Sequence, residues 1–191
     1  MKTPGGEARS DSEPGDRKNP THKVSLEEAM FCQNSKVIYY LCEIMSKTIA
    51  LYHIVFCTKS REMTIPMEYK IDLYRFIWNY IRQLNCKLYR IGGISNHIHL
   101  LINLHPSVSL ATLVRDIKAN SSGWMKKDER FKMFKGWAAE YFASSICPGE
   151  MGKVINYIRN QEDHHKVISE NEEFGNLYIQ AGLTYTPLEL N

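Results

Sequence analysis

Two periods of apolar residues alternate along the middle of this chain. Residues 51–58, Leu-Tyr-His-Ile-Val-Phe-Cys-Thr, are β-branched and aromatic and read as a strand. Pro66 opens a helix over residues 67–84, where Ile71, Tyr74, Ile77, Trp78 and Ile81 recur as a buried stripe. Residues 87–94 read as a second strand. Gly92-Gly93 and Ser95-Asn96 make a tight connection into a third. Its run 98–104 is almost wholly apolar, which suits a central strand covered on both faces. Ser107 caps a helix with the stripe Leu110, Leu113, Val114, Ile117. Residues 136–146 read as a further strand, and Pro148 opens a last helix over about 150–168, with Val154, Ile155 and Ile158 buried.

The first six of these elements make a split β-α-β pair, the α+β, ferredoxin-like βαββαβ arrangement. The expectation is an antiparallel sheet with helices on one face, its second and third strands central, and an extra C-terminal helix. Residues 1–22 are rich in Gly, Pro, Ser and charge, without periodicity, as a disordered tail is. Residues 24–44 hold a short, poorly capped helical pattern, and Met45 is a candidate biological start. The division expected is an extension over 1–44, one domain over 45–170 and a tail over 171–191.

Composition narrows the class. Of 191 residues, 43% are hydrophobic and 24% charged, as in an ordinary soluble globule. No apolar run is long enough to span a membrane and no stretch has a signal-peptide layout. The five cysteines include no C-x-x-C pair, so neither a disulfide framework nor a zinc–cysteine site is indicated, and cytoplasm is the expected setting. A net charge of +3 permits a nucleic-acid partner without demanding one.

The chemistry begins at His97 and His99, which interrupt the apolar strand. Side chains at i and i+2 of a strand share a face, so the imidazoles stand within reach of one ion while Ile98 points into the core. A lone histidine there would be a hydrogen-bonded core residue; for a matched pair the metal reading leads. From 115 to 135 the chain carries seven basic residues interleaved with Asn120, Ser121, Ser122 and Trp124. A solvated helix face is the bland reading. Cations with an amide, hydroxyls and an indole also suit phosphate contact and base stacking. Lys59, Arg61, Arg115, Lys118, Asn120, Trp124, Lys126, Lys127 and Arg130 are therefore the candidate DNA contacts.

The last helix adds Tyr157 and Gln161, one turn apart on one face, followed by His164 and His165. A divalent metal held by two imidazoles and an amide oxygen leaves positions open for phosphate oxygens. Tyrosine is a workable nucleophile on phosphorus, and its phosphotyrosine product conserves bond energy for rejoining. Strand transfer needs that and a plain nuclease does not.

His97-Ile98-His99 with Tyr157-Ile-Arg-Asn-Gln161 resembles the HUH-type single-tyrosine transposases of the insertion-sequence 200/605 group, over about residues 46–168. The resemblance implies that His97, His99 and Gln161 bind Mg²⁺ or Mn²⁺, with Asn96, His164 and His165 as candidate supports around them. It implies that Tyr157 attacks single-stranded DNA at hairpin-marked ends, leaving a 5′-phosphotyrosine and a 3′-hydroxyl. It further implies a homodimer, whose active sites can be composite, with the tyrosine helix serving the partner's histidines in trans. A variant within the class is a domesticated relative that cuts repeated palindromes. The alternatives are a non-catalytic nucleic-acid-binding module and a metal phosphodiesterase in which water attacks.

Overall fold

Strand β1, Leu51–Cys57, is the middle of the molecule. It pairs antiparallel with β3, His97–Asn103, on one side and with β4, Phe142–Ser145, on the other. Strand β2, Lys87–Ile94, pairs with β3, giving the order β2-β3-β1-β4. The expected split β-α-β arrangement is present, with one correction: β1 and β3 are central and β2 is an edge. The hairpin explains it, because Ser95-Asn96 turns β3 back into the gap that the β1-to-β2 crossover leaves open. This computed structural model describes residues 48–186. The expectations for the N-terminal extension, its helical pattern and a start at Met45 lie outside the described residues.

Helix α1, Lys70–Gln83, follows a short 3-10 turn after Pro66 and buries Leu73, Tyr74, Ile77 and Ile81. Helix α2, Leu110–Met125, buries Leu113, Val114 and Ile117. Its cap is Ser109, whose side chain accepts from the Thr112 amide, and not Ser107, which pairs with His105. Both helices pack on the sheet face formed by Ile54, Phe56, Ile98, Leu100 and Ile102. The strand expected over 136–146 is shorter. Trp137 only bridges Thr58, and its ring turns away to Phe56 and Phe134, so regular pairing begins at Phe142.

The last segment also departs from expectation. In place of one helix over 150–168 there are two, α3 over Met151–Arg159 and α4 over Gln161–His164, broken at Asn160 (φ −97, ψ 18). The stretch expected as tail holds a further helix, α5, Glu170–Gln180, capped by the Ser169 side chain. Its Phe174 and Leu177 cover Val55, Cys57 and Phe142 on the second face of the sheet. No helix among the described residues is long and apolar enough to cross a membrane.

Two glycines set the geometry of this second face. A Cβ on Gly93 (φ +155) would lie 2.2 Å from the His97 carbonyl oxygen, so the hairpin closes only with glycine there. A Cβ on Gly92 would lie 2.4 Å from the Ile158 carbonyl oxygen, because α3 rests directly on β2. Gly92→Ala must lift α3 off the strand. The expected cost is about 1–3 kcal/mol in urea unfolding. Unchanged stability would show that α3 sits less closely.

Candidate active site

The β1–β3 register sets Val55 against His99 and Cys57 against His97. Alternation along the two strands therefore brings His53, His97 and His99 to the face opposite α1 and α2. All three are buried, and His97 and His99 have no exposed surface. Their rings lie 4.9 Å apart, side by side as the H-x-H spacing predicts. Each is tied at Nδ1: His97 to Asn96 Oδ1 at 2.9 Å, His99 to His53 Nε2 at 3.0 Å. Each turns its Nε2 toward Glu173 of α5, at 3.4 Å for His97 and 3.6 Å for His99.

Glu173 is the centre that sequence reading did not identify. Its carboxylate is 1% exposed. The Tyr157 hydroxyl donates to Oε1, and Gln161 Nε2 donates to the same oxygen at 2.9 Å. His165 Nε2 lies 2.9 Å from Oε2 and 3.2 Å from His97 Nε2. His164 stands further out, 3.8 Å from Oε1. The break at Asn160 thus leaves Tyr157 and Gln161 converging on one atom. Asn96 Nδ2 also donates to Glu170 Oε1, and Arg61 donates to Asn171 Oδ1 at 2.6 Å with its guanidinium over the Phe174 ring. Those contacts hold α5 against the hairpin.

The electrostatics follow from burial. It pushes His53 down to about 4 and, with help from neighbouring His97, holds His99 well below its ordinary value. Burial also opposes the charge on Glu173, but the imidazoles of His165, His97 and His99 gathered around it outweigh it and keep the carboxyl below the usual carboxylate range. Burial and the Glu173 charge together hold the Tyr157 phenol above its ordinary value, hence protonated. Burial works against a proton on His165, and Glu173 overcomes it, so that imidazole is raised.

The donor set fits a divalent cation. His97, His99 and Glu173 offer ligand atoms all within 4.8 Å of one another. His99 Nε2, Gln161 Oε1 and Glu173 Oε2 are buried polar atoms without a hydrogen-bond partner, which is costly unless an electropositive group satisfies them. Imidazole nitrogen, amide oxygen and carboxylate oxygen together make a mixed donor set for a divalent metal.

The candidate DNA contacts are dispersed. Lys59 is exposed beyond β1, and Arg61 is engaged with α5. The rest belong to α2 and the segment after it, packed on the sheet face away from the histidines. Arg115 pairs with Asp116, Lys118 donates to the carbonyls of Ala139 and Glu140, and Asn120 bonds the Asp116 carbonyl. Trp124 is partly buried, stacked on Phe76 beside Phe131 against the edge of the core. Arg130 is paired with Asp72 and Asp128, and only Lys126 and Lys127 extend as plain exposed cations.

A family model described as transposase, IS200-like, matches residues 46–161. No curated protein matches the sequence. Among solved structures, the chain is similar to a candidate transposase from Deinococcus radiodurans R1, at 19% identity and a TM-score of 0.47, covering 61% of this chain and 95% of that one. It is also similar to a REP-associated tyrosine transposase bound to a REP hairpin, at 15% identity and a TM-score of 0.48, covering 65% of this chain and 76% of that one.

Proposed function

The chain belongs to the IS200-like transposase family, and we propose that it cleaves and rejoins single-stranded DNA at hairpin-marked ends with Tyr157 as nucleophile. The observation that carries this reading is the meeting of the Tyr157 hydroxyl and the two strand histidines on one buried carboxylate, Glu173. A protein that only bound nucleic acid would gain nothing from burying such a cluster.

In the step proposed, Tyr157 Oη bonds to phosphorus as the bond from phosphorus to the 3′-oxygen breaks. The products are a 5′-phosphotyrosine and a 3′-hydroxyl. The phenolic proton passes, in net terms, to the departing 3′-oxygen, and Glu173 Oε1 accepts the hydrogen bond that aligns the Tyr157 hydroxyl. His97, His99, Glu173 and Gln161 are the residues that would hold Mg²⁺ or Mn²⁺. Such an ion supplies positive charge that offsets Glu173, polarises the phosphoryl oxygens and steadies the leaving alkoxide. His165 steadies Glu173 Oε2, and Asn96 orients His97. Tyr157 and the histidines of one chain share Glu173, so cleavage in cis is proposed, and a homodimer is not required for it.

The test is a denaturing gel of the protein with labelled single-stranded DNA from the flanks of its own gene, with and without Mn²⁺. A metal-dependent, protease-sensitive adduct is expected. Cleavage without an adduct would mean that water attacks, and a native-gel shift without cleavage would favour a binding module.

For the path of the strand, the cleft beside Gln161 is lined by Lys70, Arg90 and Arg159. Arg159→Ala is expected to weaken single-strand binding and reduce the salt slope by about one, and Lys126→Ala with Lys127→Ala to change it less. The reverse ranking would mean that the strand follows the α2 side of the molecule.

A further inference from the structure

We infer that His53 is a positioning residue that sets the tautomer and ring orientation of His99. The inference deepens the reading above and rests on it for the metal, though not for the tautomer. His53 is not part of the H-x-H motif; it sits on β1, diagonally across from His99, and its Nε2 is 3.0 Å from His99 Nδ1. Both rings are buried. Their centroids are 5.2 Å apart and their planes lie at 19°, so the rings are near coplanar and the two nitrogens meet edge to edge.

One proton lies between those two nitrogens, and the surroundings decide which ring donates it. If His53 donated, His99 would carry its own proton on Nε2. That N–H would be buried facing Glu173 Oε1 at 3.6 Å, too far to hydrogen-bond. If His99 donates from Nδ1, the bond to His53 is made and the Nε2 lone pair is left pointing into the site. The second arrangement leaves no donor on His99 unpaired.

His97 supplies an independent parallel within the same site. Its Nδ1 meets Asn96 Oδ1 at 2.9 Å. The Asn96 amide is fixed in that sense because its Nδ2 donates to the Arg61 carbonyl and to Glu170. An amide oxygen can only accept, so His97 carries its proton on Nδ1 and presents Nε2 as a lone pair. His53 does for His99 what Asn96 does for His97. The two imidazoles of the motif are then matched, each anchored at Nδ1 and each offering Nε2, the state in which both can ligate a cation.

The full chain, labelled with ¹⁵N-histidine and free of metal, tests this by long-range ¹H–¹⁵N correlation. The wild-type His99 pattern is expected to be that of the Nδ1–H tautomer, and an Nε2–H pattern would overturn the inference without any variant. His53→Phe is expected to turn His99 into a mixture of tautomers and to weaken Mn²⁺ binding in calorimetry by about 10–100-fold. His53→Gln, whose amide oxygen reaches the same position as an acceptor, is expected to recover the wild-type tautomer and most of the affinity. If His53 served packing alone, Phe would be tolerated better than Gln, and that ranking would overturn the inference. A wild type that binds no Mn²⁺ yet shows Nδ1–H on His99 would support the tautomer assignment while removing the metal reading.

Discussion

Tyr157→Phe is expected to abolish the covalent protein–DNA adduct and to lower cleavage on the order of 10⁴-fold or more, the scale of losing a nucleophile. DNA binding should survive nearly intact. The phenyl ring preserves the edge contacts with His53 and His99, at 5.9 and 5.7 Å between centroids, and removes only the hydroxyl that donates to Glu173. A persisting adduct would exclude Tyr157 as the sole nucleophile. The same variant separates cis from trans chemistry. Mixed with His99→Ala, it should not recover activity if each chain assembles its own site, whereas recovery on mixing would mean that the tyrosine helix serves a partner.

Glu173→Gln carries the second large effect. The substitution keeps the shape and an acceptor oxygen for Tyr157 and Gln161, and removes the negative charge around which His97, His99 and His165 are gathered. Loss of a charged ligand should weaken Mn²⁺ binding by about 100-fold or more, beyond the range found for groups that merely orient ligands. The readouts are calorimetry and the rise in Tm on adding Mn²⁺, which the wild type should show and the variant should not. Unchanged affinity would leave His97, His99 and Gln161 as the ligands and reduce Glu173 to a packing acid. A pH series adds a check. The folded-state pKa of Glu173 is depressed, so its contribution to stability is present above the ordinary carboxylate value of 4.5 and is lost as pH falls below it. Unfolding of the wild type in acid should therefore be steeper than that of the Gln variant.

Legibility in the sequence differed from element to element. The periods of residues 51–117 located β1, α1, β2, β3 and α2 because burial on one face imposes its spacing on the residues. The hairpin was readable from Gly92-Gly93 and Ser95-Asn96, and both motif histidines do share a face. Where the chain stops following one period, reading fails. Trp137 belongs to the core yet sits outside the strand expected to contain it. The aromatic and basic run after Arg115 looked like a surface for nucleic acid, and Trp124 is instead packed on Phe76. The α5 helix announces its start through Ser169-x-x-Glu172, a capping pattern, but nothing in Glu170-Asn-Glu-Glu173 says which carboxylate turns inward.

The local pattern alone determined a split β-α-β sheet, a pair of histidines on one face of its third strand, and a tyrosine with an amide one turn on. Spacing within a single element sets those relations, and spacing is written in the chain. Tertiary packing decided the rest. The register of β1 against β3 brings His53 to His99 across 46 residues, and the docking of α5 brings Glu173 to both motif histidines and to Tyr157. Contacts of that kind depend on strand order and on close approaches such as Gly92 against Ile158, which no periodicity encodes.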